Sequence, residues 1–135
     1  MSFNLMFEKD SSLVYIKALR DIDLSSGARL LSRLASDDRS QNGFGILFDA
    51  TEICYVPSRE EVDALSRSDA WRKIIERYRV AIVVSKPIQY GVANILARKS
   101  ESSGGLVERF YNVDNARAWL EKIAAEKPKT LKAGS

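Results

Sequence analysis

Two short apolar stretches constrain the fold of this chain most strongly. Residues 45–48 lead directly into Asp49, and residues 79–85 are rich in β-branched side chains. Strands that are apolar at nearly every position, and not only at alternate ones, are typically covered on both faces of a sheet. A helical segment separates the two stretches. They should therefore be parallel strands joined by a right-handed crossover.

The remaining elements follow from hydrophobic periodicity and turn residues. An apolar run at 3–7 and an alternating run at 13–19 predict an antiparallel N-terminal β-hairpin. Three further helices and a last strand are predicted at residues 24–36, 87–100, 115–126 and 106–111. The order β-β-α-β-α-β-α-β-α predicts an α/β fold with a mixed, mostly parallel five-stranded sheet and packed helices.

The segment between the two central strands does not behave as one helix. On a helical wheel, the apolar side that contains Val62 lies nearly opposite the side that contains Trp71, and the phase changes near Ser68. This predicts two helices, or one sharply kinked helix, divided near Ser68, with Asp69 able to cap the new start. In the same way, Asp114 is predicted to cap the last helix.

Length and charge indicate a single domain over residues 1–126, followed by a disordered basic tail at 127–135. The chain has 135 residues, of which 45% are apolar, and a net charge of +3. Three of its 21 Lys and Arg residues lie in the acid-free tail, which leaves 18 basic against 18 acidic residues in the domain. A nucleic-acid binder would need a basic face on the domain itself, so no nucleic-acid partner is expected.

The densest basic group of the domain is interrupted by Glu76 and has no aromatic stacking platform beside it. We interpret it as a solvated helix face rather than a phosphate site. Its members are Arg72, Lys73, Arg77 and Arg79.

The chain lacks the residues that several classes of catalytic and metal sites require. The chain has no histidine, which excludes Ser-His-Asp and Cys-His nucleophiles and His-ligated metals. We found no Gly-rich phosphate loop, and the single cysteine, Cys54, cannot form an internal disulfide. No apolar run approaches the roughly 18 residues that span a bilayer, and Glu8, Lys9 and Asp10 interrupt any signal peptide. We therefore expect a cytoplasmic protein with no catalytic residues, metal or cofactor.

Residues 43–65 are the most suggestive part of the chain, because a strand that ends in a carboxylate feeds a well-capped helix. Ser58 and Glu61 have the spacing of a capping box. We favour this structural role of Ser58 over a phosphorylation switch, although a helix N-terminus would also tolerate a phosphate. Asp49 is more simply an Asx-type turn residue than part of a weak metal-type cluster with Thr51 and Glu52.

Two other side chains near this segment have competing interpretations. Cys54 is expected to be a small buried hydrophobe, although Arg59 is a candidate positive charge for a reactive thiolate. Tyr90, at the start of the third helical unit, would either line a pocket beside the strand ends or simply pack.

Two segments carry a resemblance to a known family. V-E-R-F-Y-N-V-D-N-A-R-A-W-L (107–120) is similar to the final strand and helix of STAS domains, the fold of bacterial anti-sigma-factor antagonists, and in particular of the SpoIIAA-like group. Residues 90–93, Y-G-V-A, which follow A-I-V-V-S-K-P, resemble the same group's junction between strand four and helix three. The likeness covers roughly residues 3–125.

The resemblance also concerns the predicted site. In phosphorylatable STAS proteins the phosphorylated Ser opens a helix nine residues after an Asp that ends a strand, and Asp49 and Ser58 keep this spacing. The immediate context differs. Pro57 replaces the Asp before the Ser, and Arg59-Glu60-Glu61 replaces the small residue and Gly that usually follow. The resemblance therefore implies a retained framework with a degenerate phosphoserine motif.

Two functions are expected from the sequence and this resemblance. The first is a non-enzymatic STAS-like regulatory or protein-interaction module of the bacterial cytoplasm, which docks a protein partner around Asp49, Thr51, Ser58 and Arg59. The alternative is a carrier or sensor of a small apolar or lipid-like ligand, since SpoIIAA-like domains resemble a class of lipid-binding domains. Its pocket would be lined by Cys54, Tyr55, Val56, Trp71 and Tyr90. The first and last strands have no covering element, which would permit a homodimer.

Overall fold

The computed structural model describes residues 3–8, 13–36 and 45–126, which form five strands and five helices. The strands are β1 (Phe3–Glu8), β2 (Leu13–Ala18), β3 (Gly45–Asp49), β4 (Arg79–Val83) and β5 (Leu106–Phe110). The helices are α1 (Leu24–Ala35), α2 (Arg59–Arg67), α3 (Asp69–Arg77), α4 (Pro87–Glu101) and α5 (Val113–Glu126). The predicted tail at 127–135 lies outside the described residues.

The strands form one mixed sheet in the order β1-β2-β3-β4-β5. β1 and β2 are antiparallel, and every later pair is parallel. The α/β fold class, the N-terminal hairpin and the mostly parallel five-stranded sheet are therefore confirmed. β3 and β4 are buried at almost every position and lie in the middle of the sheet, as their apolar sequences predict.

The helices cover the two faces of the sheet unequally. With strands in sequential order, right-handed crossovers place their connecting helices on one face. Val14, Ile46 and Val80 point to that face and pack in the larger apolar core with residues of α1 to α4. Leu47 and Ala81 point to the opposite face, where they pack in a smaller core against α5. Four of the five helices therefore pack on the sheet face that carries the larger core, and only α5 packs on the other.

Two helices begin close to their predicted starts, but with different capping residues. α2 and α3 divide at Ser68, which confirms the predicted break. The Ser68 hydroxyl accepts the Trp71 backbone N–H at 3.2 Å, whereas Asp69 is already the first residue of the helix. Asn112, not Asp114, accepts the Asn115 backbone N–H at 2.9 Å. The predicted caps lie one residue too late for α3 and two residues too late for α5, because a cap needs non-helical backbone and both acids already lie inside the helix.

The basic group does not form a single solvated face. Arg72 and Lys73 are exposed on α3, as expected. Arg77 instead donates to the backbone carbonyl of Ala35 at 3.0 Å, and Arg79 is buried at the start of β4. The prediction was wrong for Arg79, which belongs to a central strand and shares the sheet face of Ala81 and Val83, the face that α5 covers.

Candidate functional site

An apolar cavity of about 240 Å³ lies between helices α1 to α4 and the larger face of the sheet. β2, β3 and β4 form its floor through side chains such as Ile16, Ile46 and Ile82. The helices supply its walls, for example Leu30 of α1 and Leu96 of α4. Well-packed protein interiors contain few voids larger than a water molecule, so a space of this size is a distinct feature of the fold.

Small residues on the facing helices leave this space open. Gly27 and Ala28 of α1 and Ala93 of α4 all line the cavity. A Cβ atom placed on Gly27 would meet no other atom within 4 Å. Side chains that stop at or before Cβ therefore keep α1 and α4 from filling the volume between them.

The cavity opens to solvent at the carboxyl edge of the parallel strands. Its lining is buried at one end, where Ile74 and Val80 lie, and exposed at the other, where Asp23, Ala28 and Val56 lie. Carboxyl edges of parallel strands are the usual place for ligand sites in α/β folds. We call the exposed end the mouth of the cavity.

One side of the mouth is formed by residues 51–58, a connecting segment without helix or strand between β3 and α2 that we call the strap. Its residues alternate strictly between half-buried and exposed. Ile53, Tyr55 and Pro57 turn inward and line the cavity. The strap is attached to the neighbouring connection by two hydrogen bonds: Ser85 Oγ donates to the Thr51 carbonyl at 3.0 Å, and the side-chain amide of Gln89 donates to the Ile53 carbonyl at 3.0 Å.

A capping box fixes the helix that follows the strap. The Glu61 backbone N–H donates to Ser58 Oγ at 3.1 Å, and the Ser58 backbone N–H donates to Glu61 Oε1 at 2.8 Å. The predicted capping box is thus confirmed. The Tyr55 hydroxyl donates to the same carboxylate oxygen at 2.5 Å. This hydrogen bond from Tyr55, together with that from Ser58, lowers the pKa of Glu61 and holds it ionised.

On the opposite side of the mouth, α1 begins with a carboxylate cap. Asp23 Oδ1 accepts the Ser26 backbone N–H at 2.8 Å. This bond is the main cause of the lowered pKa of Asp23, and Arg29 contributes through its charge. The mouth therefore lies between two helix N-termini, each compensated by a carboxylate.

Polar groups deeper in the lining are already paired. The Trp71 indole N–H donates to Ser100 Oγ at 2.9 Å, and Ser100 in turn donates to the Leu96 carbonyl at 2.7 Å. Gln89 Oε1 accepts the backbone N–H groups of Ser85 and Lys86 at 2.9 and 3.2 Å. The interior consequently presents an apolar surface, and buried polar groups are satisfied by the protein itself.

Asp49 lies on the other face of the sheet, away from the cavity. Its carboxylate accepts the backbone N–H and hydroxyl of Thr51 at 3.0 and 2.7 Å and the Tyr15 hydroxyl at 3.2 Å. Lys17 Nζ lies 3.6 Å from Asp49 and 3.3 Å from Glu52. Burial alone would raise the pKa of Asp49, but these hydrogen bonds and the lysine charge together lower it. Asp49 therefore has the predicted Asx-type role: its carboxylate accepts the backbone N–H two residues later, and the Thr51 hydroxyl donates to the same oxygen.

The predicted pocket residues fall into two groups. Tyr55, Val56 and Trp71 line the cavity. Tyr90 instead stacks on Tyr111, with ring centroids 4.8 Å apart. Cys54 is exposed, so the expectation that it is a buried hydrophobe was wrong: the alternation of the strap turns Cys54 outward between the inward-facing Ile53 and Tyr55.

The predicted docking residues do not form one cluster. Ser58 and Arg59 are exposed at the start of α2, on the cavity side, whereas Asp49 is buried toward the face of α5. Sequence reasoning also missed α1 as a wall of the site. The available signal was Gly27 and Ala28, two small residues in succession inside an amphipathic helix.

Neither a metal centre nor a membrane span is found in the part of the chain that the structure describes. Among residues 3–8, 13–36 and 45–126, no three His, Cys, Asp or Glu side chains are placed to hold a metal ion. No helix within these residues is long and apolar enough to cross a membrane. Searches of protein-family models, curated proteins and solved structures found no match to this chain.

Proposed function

We propose that this protein is a non-enzymatic carrier or sensor that binds a small apolar molecule in the cavity between α1, α4 and the sheet. The cavity is the observation that supports this function. It has a volume of about 240 Å³ and a lining made almost entirely of aliphatic and aromatic side chains. Largely pre-formed apolar clefts with a few polar groups are the usual form of small-molecule sites.

The size of the cavity indicates a compact ligand. Its volume lies below the roughly 300–1,000 Å³ that is common for drug-sized ligands. An engineered apolar cavity of about 150 Å³ binds benzene, with six carbons. Scaling by volume gives a ligand of roughly ten carbon atoms.

The polar groups of the protein support binding better than catalysis. Asp49 is a hydrogen-bonded carboxylate with a lowered pKa, whereas a general base works best with a pKa near the operating pH. Glu61 and Asp23 are engaged in helix capping. The likeness to the SpoIIAA-like group remains a hypothesis that rests on the sequence motifs.

The two tryptophans provide a direct test. Trp71 lines the cavity, whereas Trp119 packs with Phe110 on the opposite face. A Trp119→Phe variant retains Trp71 as its reporter, and a Trp71→Phe variant retains Trp119. Titration with 1-decanol should change the emission of the Trp119→Phe variant saturably and leave that of the Trp71→Phe variant unchanged.

Native mass spectrometry of freshly purified protein complements this titration, because a co-purified ligand would add its mass. Absence of a saturable change at Trp71, with no bound mass, would overturn the proposed function.

A protein-docking role is a second candidate, and the exposed side of the strap favours it. Val56 is 40% exposed beside the exposed Cys54 and Ser58. The same strap lines the cavity with its other side, so an occupied cavity would present a different outer surface to a protein partner. A partner that co-purifies stoichiometrically with wild type and with Arg72→Glu, but not with Arg59→Glu, would support this role. Both arginines are exposed, and only Arg59 borders the strap.

A further inference from the structure

The charged side chains that line the cavity are of one sign. The described lining contains two ionisable acids, Asp23 and Glu61, and no lysine or arginine. Both acids lie at the exposed end, where the polar group of an amphiphilic ligand would rest. Arg29 acts on Asp23 from farther along α1, but its guanidinium donates to Ser25 Oγ at 3.2 Å and does not line the cavity.

The helix N-termini at the mouth do not offset these acids. Each N-terminus of α1 and α2 contributes roughly half a positive charge. Two lining carboxylates against two such ends leave about one net negative charge among these four groups. One first-turn backbone N–H of each helix is also engaged: Asp23 accepts that of Ser26, and the Ser58 hydroxyl accepts that of Glu61.

The lining offers an anion few hydrogen-bond donors. The Tyr55 hydroxyl already donates to Glu61, the Trp71 indole to Ser100, and the Gln89 amide to the Ile53 carbonyl. A carboxylate in the cavity would lose its hydration and find few replacements, which is costly for a charged group. A hydroxyl at the mouth can instead donate to a rim carboxylate, and an ammonium can pair with one.

From these contacts we propose that the cavity selects compact apolar ligands with a neutral or cationic polar end and discriminates against carboxylates. This inference rests on the proposed function and specifies its ligand class. The apolar part has roughly ten carbons, as its volume indicates. Fatty-acid anions of that length are thereby disfavoured, whereas alcohols and amines of the same length are accepted.

Three ligands with the same ten-carbon chain test the selectivity: 1-decanol, decylammonium and decanoate. Binding to the full chain is measured at pH 7 and low ionic strength, by calorimetry and by Trp71 emission in the Trp119→Phe variant, below the aggregation concentration of each ligand. Decanol and decylammonium should bind at least tenfold more tightly than decanoate. Added salt should narrow the difference between decylammonium and decanoate, because charges at an exposed rim are screened.

A double variant, Asp23→Asn with Glu61→Gln, removes the rim charge while keeping side chains that can cap both helices. It should bind decanoate to within about threefold of decanol. The matched control is Asp21→Asn with Glu60→Gln, two exposed acids one or two positions away that do not line the cavity. This control should keep the wild-type preference.

The outcomes separate the two proposals. If none of the three ligands binds, the proposed function fails. If decanoate binds as tightly as decanol, the selectivity is refuted while the binding function stands. A preference for decanol that is equal in the rim variant and in the control would also refute the role of Asp23 and Glu61.

Discussion

Replacing Gly27 by leucine should close the cavity and stabilise the protein at the same time. Gly27 lies in α1 and lines the cavity, and an added Cβ would meet no atom within 4 Å. A larger apolar side chain at this position can therefore extend into empty space without a clash. Most substitutions in helices that pack on a core have the opposite effect, since they either crowd the core or leave a void.

Two contributions set the magnitude. Glycine inside a helix is less favourable than leucine by about 0.8 kcal/mol. Leucine adds four carbons, and each buried carbon contributes about 0.8 kcal/mol, so full burial would contribute about 3 kcal/mol. The unfolding free energy should thus rise by about 1 kcal/mol if the side chain is mostly solvated and by nearly 4 kcal/mol if it fills the cavity. An empty cavity of about 240 Å³ destabilises the fold by up to about 6 kcal/mol at roughly 24 cal/mol per Å³. The stabilisation expected from the leucine is smaller than this cost, so the cavity is large enough to account for it.

Gly91→Leu is the matched control. Gly91 lies within α4, is exposed and has open space at its Cβ, but it does not line the cavity. Its replacement should contribute only the helix-propensity term, about 0.8 kcal/mol. Urea unfolding monitored by circular dichroism measures the stabilities, and calorimetric titration with 1-decanol measures binding.

We expect Gly27→Leu to gain more stability than Gly91→Leu and to lose at least tenfold in decanol affinity, while Gly91→Leu binds as wild type does. If Gly27→Leu were destabilised, the open space at its Cβ would be contradicted. If it bound decanol normally, the cavity would not be the binding site.

Three further predictions concern hydrogen bonds. The lowered pKa of Asp49 means that its ionised form stabilises the fold above its ordinary value of 3.8 and that this contribution is lost as the pH falls below it; Asp49→Asn should weaken the decline in unfolding free energy between pH 5 and pH 2, and an unchanged slope would contradict the role. Ser58→Ala removes the α2 cap and should cost about 1 kcal/mol in urea unfolding at pH 7, whereas no loss would mean that the capping box contributes nothing. Ser100→Ala leaves the buried Trp71 N–H without its acceptor and should cost about 1–3 kcal/mol, while Ser102→Ala, at an exposed serine on the same turn, should stay within about 0.5 kcal/mol of wild type.

The fold could be predicted from sequence because its determinants are local or depend on periodicity. The apolar runs at 45–48 and 79–85 identify central strands, and the alternation at 13–19 identifies a strand in a hairpin. The break between α2 and α3 also follows from periodicity, because one straight helix cannot bury apolar residues that lie on opposite sides of its helical wheel. What failed at the starts of α3 and α5 was the choice between capping residues one or two positions apart, which depends on where the backbone leaves the extended region.

The cavity could not be predicted in the same way, because a void is a property of packing between elements. Leu30, Val62 and Leu96 all carry the pattern of core residues, and they would carry it whether or not a space remained between them. The missing volume arises where small residues from distant parts of the chain, such as Gly27 and Ala93, line the same space. Sequence patterns report which face of a helix is apolar, but not how far that face lies from its neighbours.

The strap shows how the Asp49 turn and the cavity depend on one segment although they lie on opposite faces of the sheet. Asp49 holds the first strap residue through both the backbone N–H and the hydroxyl of Thr51, while Glu61 holds the last turn of the segment through Tyr55 and Ser58. Between these two anchors, alternate residues reach the cavity and the solvent. A ligand that moves the strap backbone by pushing on the inward-facing side chains would also shift the outward-facing ones, because the two sets alternate along one segment. Asp49 ends β3 and Ser58 caps α2. The number of residues between them is thus set by the length of chain needed to cross the mouth of the cavity.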